Sequence, residues 1–251
     1  MQVLIIPDVH MKPWMLDAAD ILIRQIQPDQ IICLGDLADD FGTQHNPDAY
    51  KDMFERAIQF SKDHPEMLWC FGNHDVSYLW DMPETGMAEF DAKSMAEKSI
   101  RAFIDAVPDG HLAFVHVIGN VLFSHAGISR MFVQEQCGES GYNNIDAVVS
   151  TINNKRAGQL WYNDSPIWLR PQKEYSRFPV QMYKPRVCFQ VVGHSPMRTI
   201  TQEKNLLSCD VFSTYPDGAR YGSEEFVLLD TDTHIWKGVP AIRSAQRNCT
   251  F

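Results

Sequence analysis

No stretch of the chain approaches the roughly 18 consecutive apolar residues of a membrane helix. The opening run Val3-Leu4-Ile5-Ile6 is short and lacks the basic start of a secretory signal. A membrane partner is therefore not expected, and the protein is expected to stay in the cytoplasm. Cysteine is sparse: the six residues include no Cys-x-x-Cys spacing, and Cys33, Cys70 and Cys188 sit inside apolar runs. A thiol in such a run behaves as a small hydrophobe, which excludes a disulfide framework or a thiolate zinc site and suits a reducing compartment. Positive charge is also short, with 22 basic against 32 acidic residues and a net charge of −10. That balance repels phosphate backbones and argues against a nucleic-acid partner. Internal repeats and low-complexity segments are absent too.

What remains is the composition of a globular protein, 45% apolar and 22% charged over 251 residues, enough for one large α/β domain spanning 1–251. Short apolar runs alternate with helical spacing through the first half, the grammar of βαβ units. Strands are expected at 3–6, 30–34 and 67–71, with helices at 15–26, 48–62 and 88–106. The pattern then changes to a hairpin, Leu112–Ile118 and Val121–Ser124 around Gly119-Asn120, which implies a second sheet. Residues 129–157 read as weakly helical. Residues 158–186 lack periodicity, and together 129–186 are expected to cover the site. Further strands are expected at 187–192, 206–209 and 226–229. Within the cover, residues 155–186 hold seven basic side chains (Lys155, Arg156, Arg170, Lys173, Arg177, Lys184, Arg186) against Asp164 and Glu174, a local +5 that could draw an anion.

The chemistry lies where the strands end. The first runs into Asp8-Val9-His10, the second into Gly35-Asp36-Leu37-Ala38-Asp39-Asp40 and the third into Gly72-Asn73-His74-Asp75. Two later ones end in Ser124-His125-Ala126-Gly127 and Gly193-His194-Ser195-Pro196. Carboxyl ends of strands in open α/β sheets gather around one crevice, so these groups can converge although they are far apart in sequence. Together Asp8, His10, Asp36, Asn73, His125 and His194 form an oxygen and imidazole set suited to Mn²⁺, Fe, Zn²⁺, Ni²⁺ or Co²⁺. They are too many for one ion and fit two ions about 3.5–4 Å apart that share a carboxylate. The adjoining glycines permit tight turns close to the ions.

In this order the blocks resemble those of the calcineurin-like metallophosphoesterase superfamily: Asp-x-His, Gly-Asp, Gly-Asn-His, a His-bearing block and Gly-His. Asp39 three residues after Asp36, Ser124-His125-Ala126-Gly127 and Gly193-His194-Ser195-Pro196 are similar to the bacterial and phage serine/threonine phosphoprotein phosphatases and the symmetrical diadenosine tetraphosphate hydrolases. The resemblance implies a four-layer α/β/β/α sandwich of two mixed sheets and two divalent ions, with manganese first among them. It implies that Asp8 and His10 hold one ion, that Asn73, His125 and His194 hold the other, and that Asp36 bridges them. A phosphomonoester, on a protein or a small molecule, would then be hydrolysed by a metal-bridging hydroxide. His74 would protonate the leaving oxygen, with Asp39 orienting its imidazole, and Asn73 and Arg170 would contact the substrate phosphate. Arg170 is chosen because Trp168-Leu169-Arg170 resembles a Trp-x-Arg segment of the phage enzymes; Arg130 and Arg198 also lie near ligand blocks.

Two departures bear on substrate. Asp40 stands where the family's Gly-Asp-x-x-Asp block continues with Arg, and a carboxylate there would repel a phosphate dianion. That leaves a phosphodiesterase or a dinucleoside polyphosphate hydrolase as an alternative, with an inactive scaffold of the same fold as a third reading. Pro196 replaces the second His of other branches and leaves the first ion with fewer protein ligands.

Overall fold

The structure is a computed structural model and describes residues 1–184 and 188–242; of the basic stretch and the strand expected at 187–192, Arg186 and Val187 lie outside the described residues. Six strands form one mixed sheet: β1 (Gln2–Ile6), β2 (Gln30–Cys33), β3 (Leu68–Cys70), β4 (Leu112–Ala113), β10 (Glu225–Asp230) and β11 (Trp236–Pro240), in the order β11-β10-β1-β2-β3-β4. β1 to β4 run parallel, whereas β10 pairs antiparallel with β1 and β11 with β10. The second sheet holds β5 (Val115–Ile118), β6 (Val121–Ser124), β7 (Phe189–Val192), β8 (Thr201–Glu203) and β9 (Leu206–Ser208), in the order β5-β6-β7-β9-β8. It too is mixed, with β6, β7 and β9 parallel.

Strand periodicity explains how the sheets stack, because successive side chains point to opposite faces. On β6, Val121 and Phe123 pack into the core that includes the first sheet, while Leu122 packs the other way with Phe132, Val148 and Ile152. Outside the first sheet lie α1 (Trp14–Ile26), α2 (Pro47–Asp63) and α4 (Phe90–Ala106). They bury amphipathic faces such as Met15, Leu16, Ala19 and Leu22 of α1. α2 starts where the Asn46 side chain accepts from Ala49 N and Pro47 supplies a preset φ. Outside the second sheet lie α5 (Arg130–Gly141), α6 (Ile145–Asn153) and α7 (Ala157–Leu160). The layers are therefore helix, sheet, sheet, helix, as expected.

Several local expectations change. The run 112–118 is not one strand. It breaks at Phe114, so Leu112 and Ala113 complete the first sheet while Val115–Ile118 starts the second. α3 (Asn73–Trp80) was not anticipated; Asp75 caps it by accepting from Gly72 N at 3.0 Å. The edge strands β8 and β11 carry mixed polar sequence with no apolar run to reveal them. The helices of 129–160 bury their apolar faces on the second sheet, and the segment that follows them brings Trp168 and Arg170 to the cavity. Among the described residues no helix is long and apolar enough to cross a membrane.

Phe123, fully buried between the sheets, gives a direct test of this stacking. Phe123→Ala is expected to lower the unfolding free energy by about 3–5 kcal/mol, measured by urea denaturation monitored by circular dichroism.

Candidate metal centre

The strand ends are laced to one another before any side chain is considered. Val9 N and His10 N both donate to Asp36 O (3.1 and 2.7 Å), Met11 N donates to Leu37 O (3.0 Å), and Gly193 N donates to His125 O (2.8 Å). The turns are tight enough to force His10, Asp36, Asp39 and His194 into positive φ (43, 47, 62 and 62°). Non-glycine residues adopt this region at a cost, and such costs cluster at functional sites. Glycine serves a different purpose at two strand ends. A Cβ on Gly72 would collide with Asp36 Oδ1, and one on Gly193 with Asp8 Oδ1, so each glycine vacates the space its carboxylate fills.

The six expected ligand residues come together, all but His10 buried. His125 Nδ1 contacts the Leu34 carbonyl at 3.0 Å, which leaves Nε2 to face inward. That nitrogen lies 3.0 Å from Asn73 Oδ1, 3.1 Å from His194 Nδ1 and 3.2 Å from Asp36 Oδ2. His10 has the same arrangement: Nδ1 meets Asp39 O at 2.9 Å, and Nε2 faces Asp36 Oδ2 at 3.6 Å. Two compact donor groups result, Asp36/His125/His194 and Asp8/His10/Asp36, joined by Asp36. Asp8 Oδ2 accepts from His194 N at 2.7 Å, but its Oδ1 is buried without a hydrogen-bond partner. An orphaned carboxylate oxygen among inward-facing nitrogen and oxygen donors is costly unless a cation compensates it. The donor set, lacking thiolate, suits two divalent ions that share Asp36.

Beside this centre, His74 Nδ1 donates to Asp39 Oδ2 at 2.8 Å, and His74 N donates to Asp36 Oδ1 at 2.9 Å. The opposite oxygen of buried Asp39 accepts from the hydroxyls of Tyr50 and Tyr78. Burial pulls the His74 pKa down, but the charge of Asp36 and the Asp39 pair outweigh it and raise it to about 9. Asp36 is pushed up by burial, yet His125 and His74 hold it well below the usual carboxylate range. Asp8 moves the other way, raised by burial and by the neighbouring Asp210.

A cavity of about 550 Å³ opens onto the centre. Arg170 lines it, donating from Nη1 to His194 O at 2.9 Å, with its guanidinium 5.3 Å from the Tyr175 ring centroid. Arg130 and Arg198 are exposed and do not line it. Asp40 lines it too, but not as a bare charge, because Lys12 Nζ lies 2.6 Å from its Oδ2.

Five contributors escaped sequence reasoning. Asp210 is fully buried, accepts from Ser213 Oγ at 3.0 and 3.1 Å, and follows β9 as the other acids follow their strands. That placement was its available signal. Glu84 accepts from Asn73 Nδ2 at 3.1 Å and thereby turns Asn73 Oδ1 toward His125. Lys12, Tyr50 and Tyr78 carry no signal apart from the fold. Trp161, Tyr162 and Tyr183 pack in the core of the second sheet.

The calcineurin-like phosphoesterase profile matches residues 1–226. The chain belongs to the calcineurin-like phosphoesterase family. This family hydrolyses phosphoester bonds and implies divalent ions in a dinuclear centre, which agrees with the two donor groups sharing Asp36. Among solved structures, protein TT1561 of Thermus thermophilus is similar with a TM-score of 0.51 at 10% identity, over 96% of this chain and 99% of that one. The hypothetical protein PH1004 of Pyrococcus horikoshii is similar with a TM-score of 0.50 at 13% identity, over 98% and 89%. At such identities the likeness is one of fold. No curated protein matches the chain in sequence.

Burial also lowers the His125 pKa, but Asp36 and Asp8 outweigh it and raise it to about 9 in the metal-free protein. An imidazolium cannot bind a cation, so metal uptake at pH 7 must expel its proton. Mn²⁺ affinity is therefore expected to rise with pH and level off near 9. Calorimetry in two buffers of different ionisation enthalpy should register proton release, and uptake without it would contradict this protonation. Gly193→Ala should lose bound metal, read by elemental analysis, because the new methyl displaces Asp8.

Proposed function

We propose that this phosphoesterase is a metal-dependent phosphatase of phosphomonoesters, borne by a small molecule or a protein side chain, related to the bacterial and phage phosphoprotein phosphatases. The observation that carries the reading is the His74–Asp39 pair beside the shared carboxylate Asp36. Asp8 and His10 would hold one ion and Asn73, His125 and His194 the other. The nitrogen and oxygen donors favour manganese, with iron, zinc, nickel or cobalt as substitutes. Bound there, such ions supply Lewis acidity at the phosphoryl oxygens and lower the pKa of water.

The chain's own residues do the rest. Arg170 is fixed at Nη1, which leaves the remainder of its guanidinium to take phosphoryl oxygens alongside Asn73. His74 gives its Nδ1 proton to the Asp39 bond, so the proton it transfers to the leaving oxygen is the one on Nε2. Tyr50 and Tyr78 keep Asp39 from turning, and the tautomer of His74 is fixed with it. Lys12 Nζ beside Asp40 lessens the repulsion that this carboxylate would exert on a phosphate dianion, which supports the monoester reading over a diester or dinucleoside polyphosphate. Among the described residues five cysteines are free, four of them buried, which supports a reducing cytoplasm as its compartment.

Turnover of p-nitrophenyl phosphate is expected with Mn²⁺ and to exceed that of bis-p-nitrophenyl phosphate and diadenosine tetraphosphate. Absence of turnover with Mn²⁺, Co²⁺, Ni²⁺, Zn²⁺ and Fe²⁺ alike would sink the proposal. His74→Asn should keep both ions but lower kcat on alkyl phosphates by about a hundredfold or more, with a smaller loss on the activated ester. Asp36→Asn should instead lose metal. Arg170→Ala should raise KM about tenfold with a lesser change in kcat, as removal of a ground-state contact does.

A further inference from the structure

Lys12 and Asp40 form their ion pair inside the cavity. Lys12 is only 8% exposed; its Nζ lies 2.6 Å from Asp40 Oδ2 and donates a second bond to the carbonyl of His10 at 3.1 Å. An ammonium has three hydrogens. Those two contacts use two of them and leave one on a side chain that lines the cavity. Asp40 has less to offer, because its Oδ1 already accepts from Phe41 N at 2.8 Å and Thr214 Oγ1 at 3.3 Å. An anion entering the cavity therefore meets the cationic end of the pair. Lys12 stands beside His10 and so beside the Asp8/His10/Asp36 group, while Arg170 stands beside His194 and the Asp36/His125/His194 group. One cation flanks each half of the centre.

A partly buried ion pair contributes little net stability, since desolvation offsets the attraction. Its field is nevertheless strong where water is excluded, and its pull on a ligand scales with ligand charge. We propose that the Lys12–Asp40 pair is the specificity-determining element of the site. Lys12 takes an oxygen of the phosphoryl group, Asp40 sets how much of its charge the substrate feels, and the pair selects dianionic monoesters over monoanionic diesters. The inference rests on the phosphatase reading above.

The test compares wild type, Lys12→Met, Asp40→Asn, the double variant and Lys12→Arg. Each is assayed for KM and kcat on p-nitrophenyl phosphate and bis-p-nitrophenyl phosphate, for orthophosphate affinity by calorimetry, and for metal content and Tm. Lys12→Met leaves Asp40 bare, so KM for the monoester and the Kd of orthophosphate should rise about tenfold or more, and the diester should be affected less. Asp40→Asn frees the ammonium and should tighten orthophosphate several-fold. The double variant is neutral again and should fall between the two, while Lys12→Arg should retain the monoester preference. A structural pair would behave differently: both single variants would weaken orthophosphate, the double variant would be no better than Lys12→Met, and the monoester-to-diester ratio would not move. Any of these results overturns the proposal. If wild type turns over neither ester, the phosphatase reading fails on its own, and the orthophosphate affinities of the five proteins still decide the role of the pair.

Discussion

Everything at the centre depends on negative charge taken out of water and left incompletely paired. Asp8, Asp36 and Asp210 are buried within one small volume, and glycine cradles hold two of them where no side chain could otherwise fit. Desolvation alone would protonate such carboxylates. His125, His74 and His10 counter it around Asp36, and of these the ligand His125, raised to about 9, must surrender its proton when divalent charge arrives. The site is thus built against its own stability in the metal-free state. That is the physical reason to regard it as a cation centre and not as a polar patch of the core.

The surrounding scaffold makes this burial possible. Parallel strands of both sheets deliver their carboxyl ends to one line, and backbone bonds between the turns after β1 and β2, and between those after β6 and β7, fix the spacing of the loops. Gln190, buried on β7, bonds both polar backbone groups of Ile128 and thereby anchors the turn that carries His125. Asp75 does the same for the turn that carries Asp36, accepting from Leu37 N and Ala38 N while capping α3. Burial raises the pKa of Asp75 to about 7, so this brace holds its full charge only above neutrality.

Much of this was legible in the sequence because acids, imidazoles and the Asn73 amide follow short apolar runs in a repeated manner. Asp8, His10, Asp36, Asn73, His125 and His194 could be chosen on that ground alone, and the structure places them in two adjoining groups that share Asp36, with Asn73 beside His125. Reading failed where the signal was tertiary. Tyr50 looks like any apolar position of α2 until its hydroxyl meets Asp39. Lys12 looks like a surface lysine until the chain folds it onto Asp40, which is why Asp40 read as a repulsive charge. The break at Phe114 was invisible because both halves of the run have the same strand-forming character. α3 was hidden because its first residues are also the polar residues of the site.

The position of β1 has a consequence for how the chain reaches this state. β1 lies between β2, its early neighbour, and β10, which comes from the far end of the described chain. A nascent polypeptide that has completed its first βαβ units therefore carries an open hydrogen-bonding edge along Gln2–Ile6 until Glu225–Asp230 has been synthesised. Unpaired apolar edges recruit other strands. Synthesis of this protein thus includes a long interval in which a strand that ends inside the sheet is still an exposed edge, and chaperone demand should fall on that interval.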